Sequence, residues 1–136
     1  MPDDPRMVID ASAVAALLFI EPECDAIAAR VAGARLSAPT LLGFEIANVT
    51  LTKLKRHPNL ADRIAARDRV AALFGLFDQM GIELMPVVHP EVVALAERTG
   101  LSAYDASYLW LARHLGAELV TLDRRLAAAA AAAAAP

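Results

Sequence analysis

The sequence is short of cysteine: Cys24 stands alone among 136 residues. An internal disulfide is therefore excluded, and no second Cys or His lies at metal-ligand spacing from it, a usage consistent with a reducing compartment. Long hydrophobic runs are missing too. Hydrophobic residues make up 57% of the chain and mean hydropathy is +0.44, yet charges keep interrupting before the roughly 18–20 apolar residues that a spanning helix needs. Much of the apolar content is alanine. The opening Met1-Pro2-Asp3-Asp4-Pro5-Arg6 lacks the basic and apolar regions of a signal peptide, so a cytoplasmic protein without a membrane partner is expected. Positive charge is in deficit as well. A net charge of -3 and a pI near 5.5 argue against holding nucleic acid by bulk electrostatics, and leave room for a local basic strip and a metal.

What is present alternates. Met7-Val8-Ile9 is a short apolar run suited to a buried parallel strand, ended by Asp10. Ser12 through Phe19 is helix-forming, and Pro22 to Ala32 carries a second helical pattern closed by Gly33. Leu36-Ser37-Ala38 is a weak strand, and Thr40 opens an amphipathic segment through Lys55 that contains Glu45. After His57-Pro58-Asn59, Leu60 to Met80 reads as a helix with Ile64, Val70, Leu73 and Phe77 on its buried side. Ile82 to Met85 leads into Pro86-Val87-Val88 as a strand, and Pro90 to Arg98 is helical. Ser102 then caps a helix that places Asp105 in its first turn and that Gly116 closes; Glu118 to Leu122 is a further strand, with Asp123 at its carboxyl end. Strand and helix in alternation predict an α/β fold, a parallel sheet covered by helices on both faces, whose ligands bind at the carboxyl ends of strands. With no repeat and no linker, residues 1–136 are read as one domain. The alanine tail, 127–136, is either a continuation of the last helix or sequence whose side chains were never identified.

Four acids stand out by context: Asp10, Glu45, Asp105 and Asp123. Each has an ordinary structural explanation, as a helix cap, a capping-box acid or an exposed helix residue. Together they would lie near one edge of one sheet. Several carboxylates that close together raise one another's pKa, and a divalent cation relieves this. All-oxygen ligation favours Mg²⁺ or Mn²⁺, and the implied chemistry is attack of a metal-activated water on a phosphodiester. Ser12 and Thr121, two residues from Asp10 and Asp123, have hydroxyls able to orient a carboxylate.

Val8-Ile9-Asp10-Ala11-Ser12, Ala38 through Asn48, Ser102 through Tyr108 and Val120-Thr121-Leu122-Asp123 resemble, in order, the four motifs of PIN domains, and most resemble those of the VapC-type toxins of bacterial toxin–antitoxin pairs. The resemblance implies a three-layer α/β/α sandwich and an endoribonuclease whose Mg²⁺ site is Asp10, Glu45, Asp105 and Asp123. It makes Ser12, Thr121 and Asn48 accessory residues, and it implies a homodimer and a cognate antitoxin that obstructs the site. The chain departs from the family pattern where a last short strand usually follows the final helix; here there is only alanine.

Arg124 and Arg125, beside Asp123, and Lys53, Lys55 and Arg56 are candidate RNA contacts; their alternative role is a solvated helix face, as it is for Arg63, Arg67 and Arg69. Tyr104, Tyr108 and Trp110 suit core or dimer contacts better than a base-stacking platform. His57, His89 and His114 have no ligand spacing and no assigned role. The apolar faces of Leu41 to Leu54 and Ile64 to Phe77 suit either the core or an antitoxin helix. Two other functions compete with the nuclease. A phosphatase using Asp10 as nucleophile would want an acid where Ser12 stands. A non-catalytic interaction protein would use the acids as caps and the apolar helices as a partner surface.

Overall fold

The computed structural model describes residues 4–56 and 59–134, with side chains described for all of these except 60–66 and 133–134. The break expected at His57-Pro58 and the side chains of Arg63 and Ile64 lie outside the described residues. The elements follow in the order β1 (Arg6–Ile9), α1 (Ala11–Leu18), α2 (Cys24–Val31), β2 (Arg35–Pro39), α3 (Leu42–Leu54) and α4 (Leu60–Gln79). Then come β3 (Glu83–Met85), α5 (His89–Thr99), α6 (Ala103–Leu115), β4 (Glu118–Val120) and α7 (Arg124–Ala134).

All four strands are parallel, in the order β3-β2-β1-β4. Val8, Ile9, Ala38 and Val120 are wholly buried in the middle of this sheet, as expected when helices cover both faces. Helix α6 lies against β1, β2 and β4 with α5 and α7 packed on it, while α1 gathers α2, α3 and α4. The result is the α/β layering expected from the alternation. Chain order turns around at β1, which has β2 on one side and β4 on the other. That reversal makes the crevice beyond the carboxyl ends of β1 and β4 the place where an open parallel sheet binds ligands.

Two strands are shorter than their sequence patterns. Met85 pairs with Pro39, the last residue of β2; beyond it Pro86 has no N–H to donate, and Pro86-Val87-Val88 leaves the sheet. The strand expected over Glu118 to Leu122 stops at Val120, opposite Ile9. Its partner has by then turned into α1, and the last ladder bond is Asp10 N to Val120 O at 3.1 Å. Asp123 consequently sits past the strand end, in the turn into α7, rather than at the end itself.

Candidate active site

Asp10 is the first residue after β1 and the N-cap of α1, its Oδ1 accepting from Ala13 N at 3.1 Å. Capping therefore describes the residue correctly and leaves much of its carboxylate unexplained. Ser12 Oγ donates to Oδ1 at 2.7 Å and Thr121 Oγ1 donates to Oδ2 at 2.5 Å. The pairing of Ile9 with Val120 makes Thr121 the neighbour of Asp10 in the next row. Each hydroxyl also accepts from the chain that follows β4: Ser12 Oγ from Leu122 N at 2.9 Å, and Thr121 Oγ1 from Asp123 N at 3.0 Å. Two side chains thus tie the β4–α7 turn to Asp10. Asp123 caps α7 through Leu126 N to Oδ1 at 2.9 Å.

Glu45 lies in the first turn of α3, half-buried, and its Oε1 accepts from Tyr108 Oη at 2.6 Å. Asp105 lies in the first turn of α6, where Ser102 Oγ accepts from its N–H at 3.1 Å. This is the cap expected from the sequence. Tyr108, one turn further along α6, is almost wholly buried. Sequence reasoning gave it a core or dimer role and missed its bond to Glu45; its spacing of three from Asp105, on the same side of the helix, was the available signal.

The carboxylates act on one another. Burial raises Asp10, Glu45 and Asp105 above their ordinary ranges, and each is raised further by acid neighbours. Asp10 is raised further by Asp123, Glu45 by Asp105 and Asp10, and Asp105 by Asp123 and Asp10. Against this stand the hydroxyl bonds to Asp10, the Tyr108 bond to Glu45, and Ser102 and Arg125 at Asp105. Burial and Glu45 push the Tyr108 phenol far up, so it stays a donor. Electrostatic contact therefore links the four acids expected from the sequence: Asp10 and Asp105 each feel Asp123, Asp105 also feels Asp10, and Glu45 feels Asp105 and Asp10.

Their chemistry suits a hard divalent cation: the donors are all oxygen, they repel one another, and Arg125 is the cation that lowers one of them. As they are posed, no group of three or more His, Cys, Asp or Glu among the described residues is arranged to hold a metal ion. The remaining expected residues divide. Asn48 is exposed on α3, one turn from Glu45. Arg124 and Arg125 are exposed at the start of α7, and Arg125 Nη2 donates to Gly100 O at 2.9 Å. Lys53, on the other hand, sits with Nζ 4.5 Å from the centre of the Phe19 ring, and Lys55 and Arg56 are exposed around the end of α3.

The PIN domain family model matches residues 7–132. The chain is 32% identical over 123 residues to "Ribonuclease VapC3" of Pyrobaculum aerophilum, covering 90% of this chain and 92% of that one. It is 36% identical over 125 residues to "Ribonuclease VapC9" of Mycobacterium tuberculosis, covering 88% and 87%. Among solved structures, that of PAE2754 from Pyrobaculum aerophilum superposes with a TM-score of 0.66 at 25% identity, covering 92% of this chain and 86% of the other.

Proposed function

We propose that this chain, which belongs to the PIN domain family, is a metal-dependent endoribonuclease and the toxin half of a toxin–antitoxin pair. The observation that carries the proposal is the setting of Asp10: a buried carboxylate at the sheet's crevice, fixed by Ser12, Thr121 and the α1 backbone, with three more acids around it. The ribonuclease names of the relatives supply the substrate class.

In this proposal Asp10, Glu45, Asp105 and Asp123 hold Mg²⁺, with Mn²⁺ able to substitute. Such an ion, when bound, lowers the pKa of a water for attack on the phosphodiester and stabilises charge on the leaving oxygen. The chain's own contribution is positioning. Ser12 and Thr121 leave Asp10 a fixed orientation, and Tyr108 does the same for Glu45 while remaining protonated. Carboxylates held before the ion or RNA arrives need no reorganisation when charge develops. Arg125, anchored on Gly100 O, and Arg124 beside it are placed to meet phosphate oxygens.

The antitoxin partner is part of the same proposal, and the open cavity of about 290 Å³ walled by Phe19, Leu54, Val70 and Leu73 together with Lys53 and Arg69 gives it an apolar seat beside two cations. So is a homodimer, for which exposed Phe44, Leu51 and Leu76 offer surface. No helix among the described residues is long and apolar enough to cross a membrane; a cytoplasmic site of action stays with the proposal.

The test is RNA cleavage by wild type, Asp10→Asn and Asp105→Asn, each checked for folding by circular dichroism, beside calorimetric titration of Mn²⁺ into metal-free protein. Wild type is expected to cut RNA with Mg²⁺ and to stop with a chelator, and both variants to lose cleavage and Mn²⁺ binding while folded. Cleavage retained in either folded variant would overturn the assignment.

A further inference from the structure

Three aromatic residues share α6, and the fold treats them differently. Tyr108 is buried against Glu45, and Trp110 stacks on His114 with ring centres 4.8 Å apart at 10°. Tyr104 is 68% exposed, a setting that neither the core nor its own helix requires. Its ring borders a cavity of about 250 Å³ whose wall includes Thr40, Leu41, His89, Val93 and Ser107.

This cleft adjoins the carboxylates through two helix starts. Tyr104 directly precedes Asp105, and Leu41 O accepts the N–H of Glu45 at 3.1 Å. No Asp, Glu, Lys or Arg lines it, so it carries no formal charge to attract a phosphate. Ser107 Oγ is taken up by Tyr104 O at 2.6 Å. The side chains of Thr40 and His89, by contrast, have no hydrogen-bond partner among the described residues. An apolar slot with one exposed aromatic face and two unengaged polar groups suits a flat, uncharged, hydrogen-bonding ring.

Resting on the ribonuclease reading above, we propose that this cleft seats one unpaired base of the RNA beside the bond being cut. Tyr104 is the stacking surface, and Thr40 and His89 contact the base edge. RNA selectivity of this kind acts on splayed single-stranded bases, which stack on aromatic side chains and are read along their edges. Tyr104 is thus a substrate-binding residue that takes no part in the chemistry, and discrimination among bases falls to Thr40 and His89.

The experiment pairs two changes, Tyr104→Ala in the protein and an abasic ribose in the RNA at the nucleotide on either side of the cut, with Mg²⁺ present. Wild type is expected to lose roughly 5- to 150-fold in kcat/KM on the abasic RNA, mostly through KM, as for loss of one base–aromatic stack. Tyr104→Ala should lose about as much on intact RNA and little more on the abasic RNA, and Tyr104→Phe should behave as wild type. Independent, multiplicative losses would overturn the subsite, as would a change of mass in light scattering on Tyr104→Ala, which would make this face a subunit contact. Wild type that cuts no RNA overturns the ribonuclease reading and the subsite together; wild type that cuts while the losses multiply overturns the subsite alone.

Discussion

Tyr108 Oη donates to Glu45 Oε1 at 2.6 Å, joining α6 to α3 across 63 positions of sequence. The bond fixes a carboxylate that burial and two neighbouring acids push toward its neutral form. Tyr108→Phe keeps the ring and removes the donor, so Glu45 should titrate higher still. Expected are a loss of about 0.5–1.5 kcal/mol in urea unfolding and an acidic limb of the cleavage pH profile moved to higher pH. An unmoved limb would show that Tyr108 serves packing only.

Thr121 both donates to Asp10 and accepts from Asp123 N. Thr121→Val preserves shape and strands both partners, so a destabilisation of about 1–3 kcal/mol is expected. Cleavage should fall by less than in Asp10→Asn, since Ser12 and Ala13 N still hold the Asp10 carboxylate. Urea melts beside initial rates check this ordering.

The raised carboxyls give the metal-free protein a pH dependence of definite sign. Asp10, Glu45 and Asp105 lie above their ordinary values of 3.8, 4.5 and 3.8. A group that binds its proton more tightly folded than unfolded stabilises fully below its ordinary value and ceases to do so as pH rises through the raised one. Metal-free Asp105→Asn should therefore gain Tm relative to wild type as pH climbs from below 3.8 toward neutrality. Mg²⁺ should raise the Tm of wild type more at neutral pH than in acid, because the ion competes with protons for the same oxygens. Parallel Tm curves for the two proteins, measured by scanning calorimetry, would contradict the cluster.

Arg125 bonds Gly100 O and draws Asp105 downward, while Arg124 is simply exposed. If Arg125 meets a phosphate, Arg125→Ala should weaken RNA binding across sequences and reduce the slope of log K against log salt by about 1. Filter binding at several salt concentrations measures that slope. An unchanged slope would return Arg125 to the role of a tether between α7 and the α5–α6 turn.

Lys53 shows what a local charge run leaves out. It reads as part of a basic strip with Lys55 and Arg56, but folding lays its ammonium over Phe19, a contact the run of cations gave no sign of. The aromatic residues of α6 are another case. Their helical spacing among apolar neighbours argued for core or dimer contacts, and the fold divides them: Tyr108 is in the core at 1% exposure, whereas Tyr104 is outside it at 68%.

The sequence by itself determined the alternation of strand and helix, the caps at Asp10 and Ser102 and the glycine stops, and it singled out the four acids as candidates. Each of these rests on signals within a few residues, where hydrophobic period, capping side chains and turn-forming residues act directly on the backbone. Only the tertiary structure decided that β4 ends opposite Ile9, that Thr121 therefore stands beside Asp10, and that Glu45 finds its partner on α6. Those outcomes depend on strand register and helix packing between residues 63 to 111 positions apart. A local pattern carries no record of which distant side chain fills the neighbouring row, because that choice is made by the packing of the whole core.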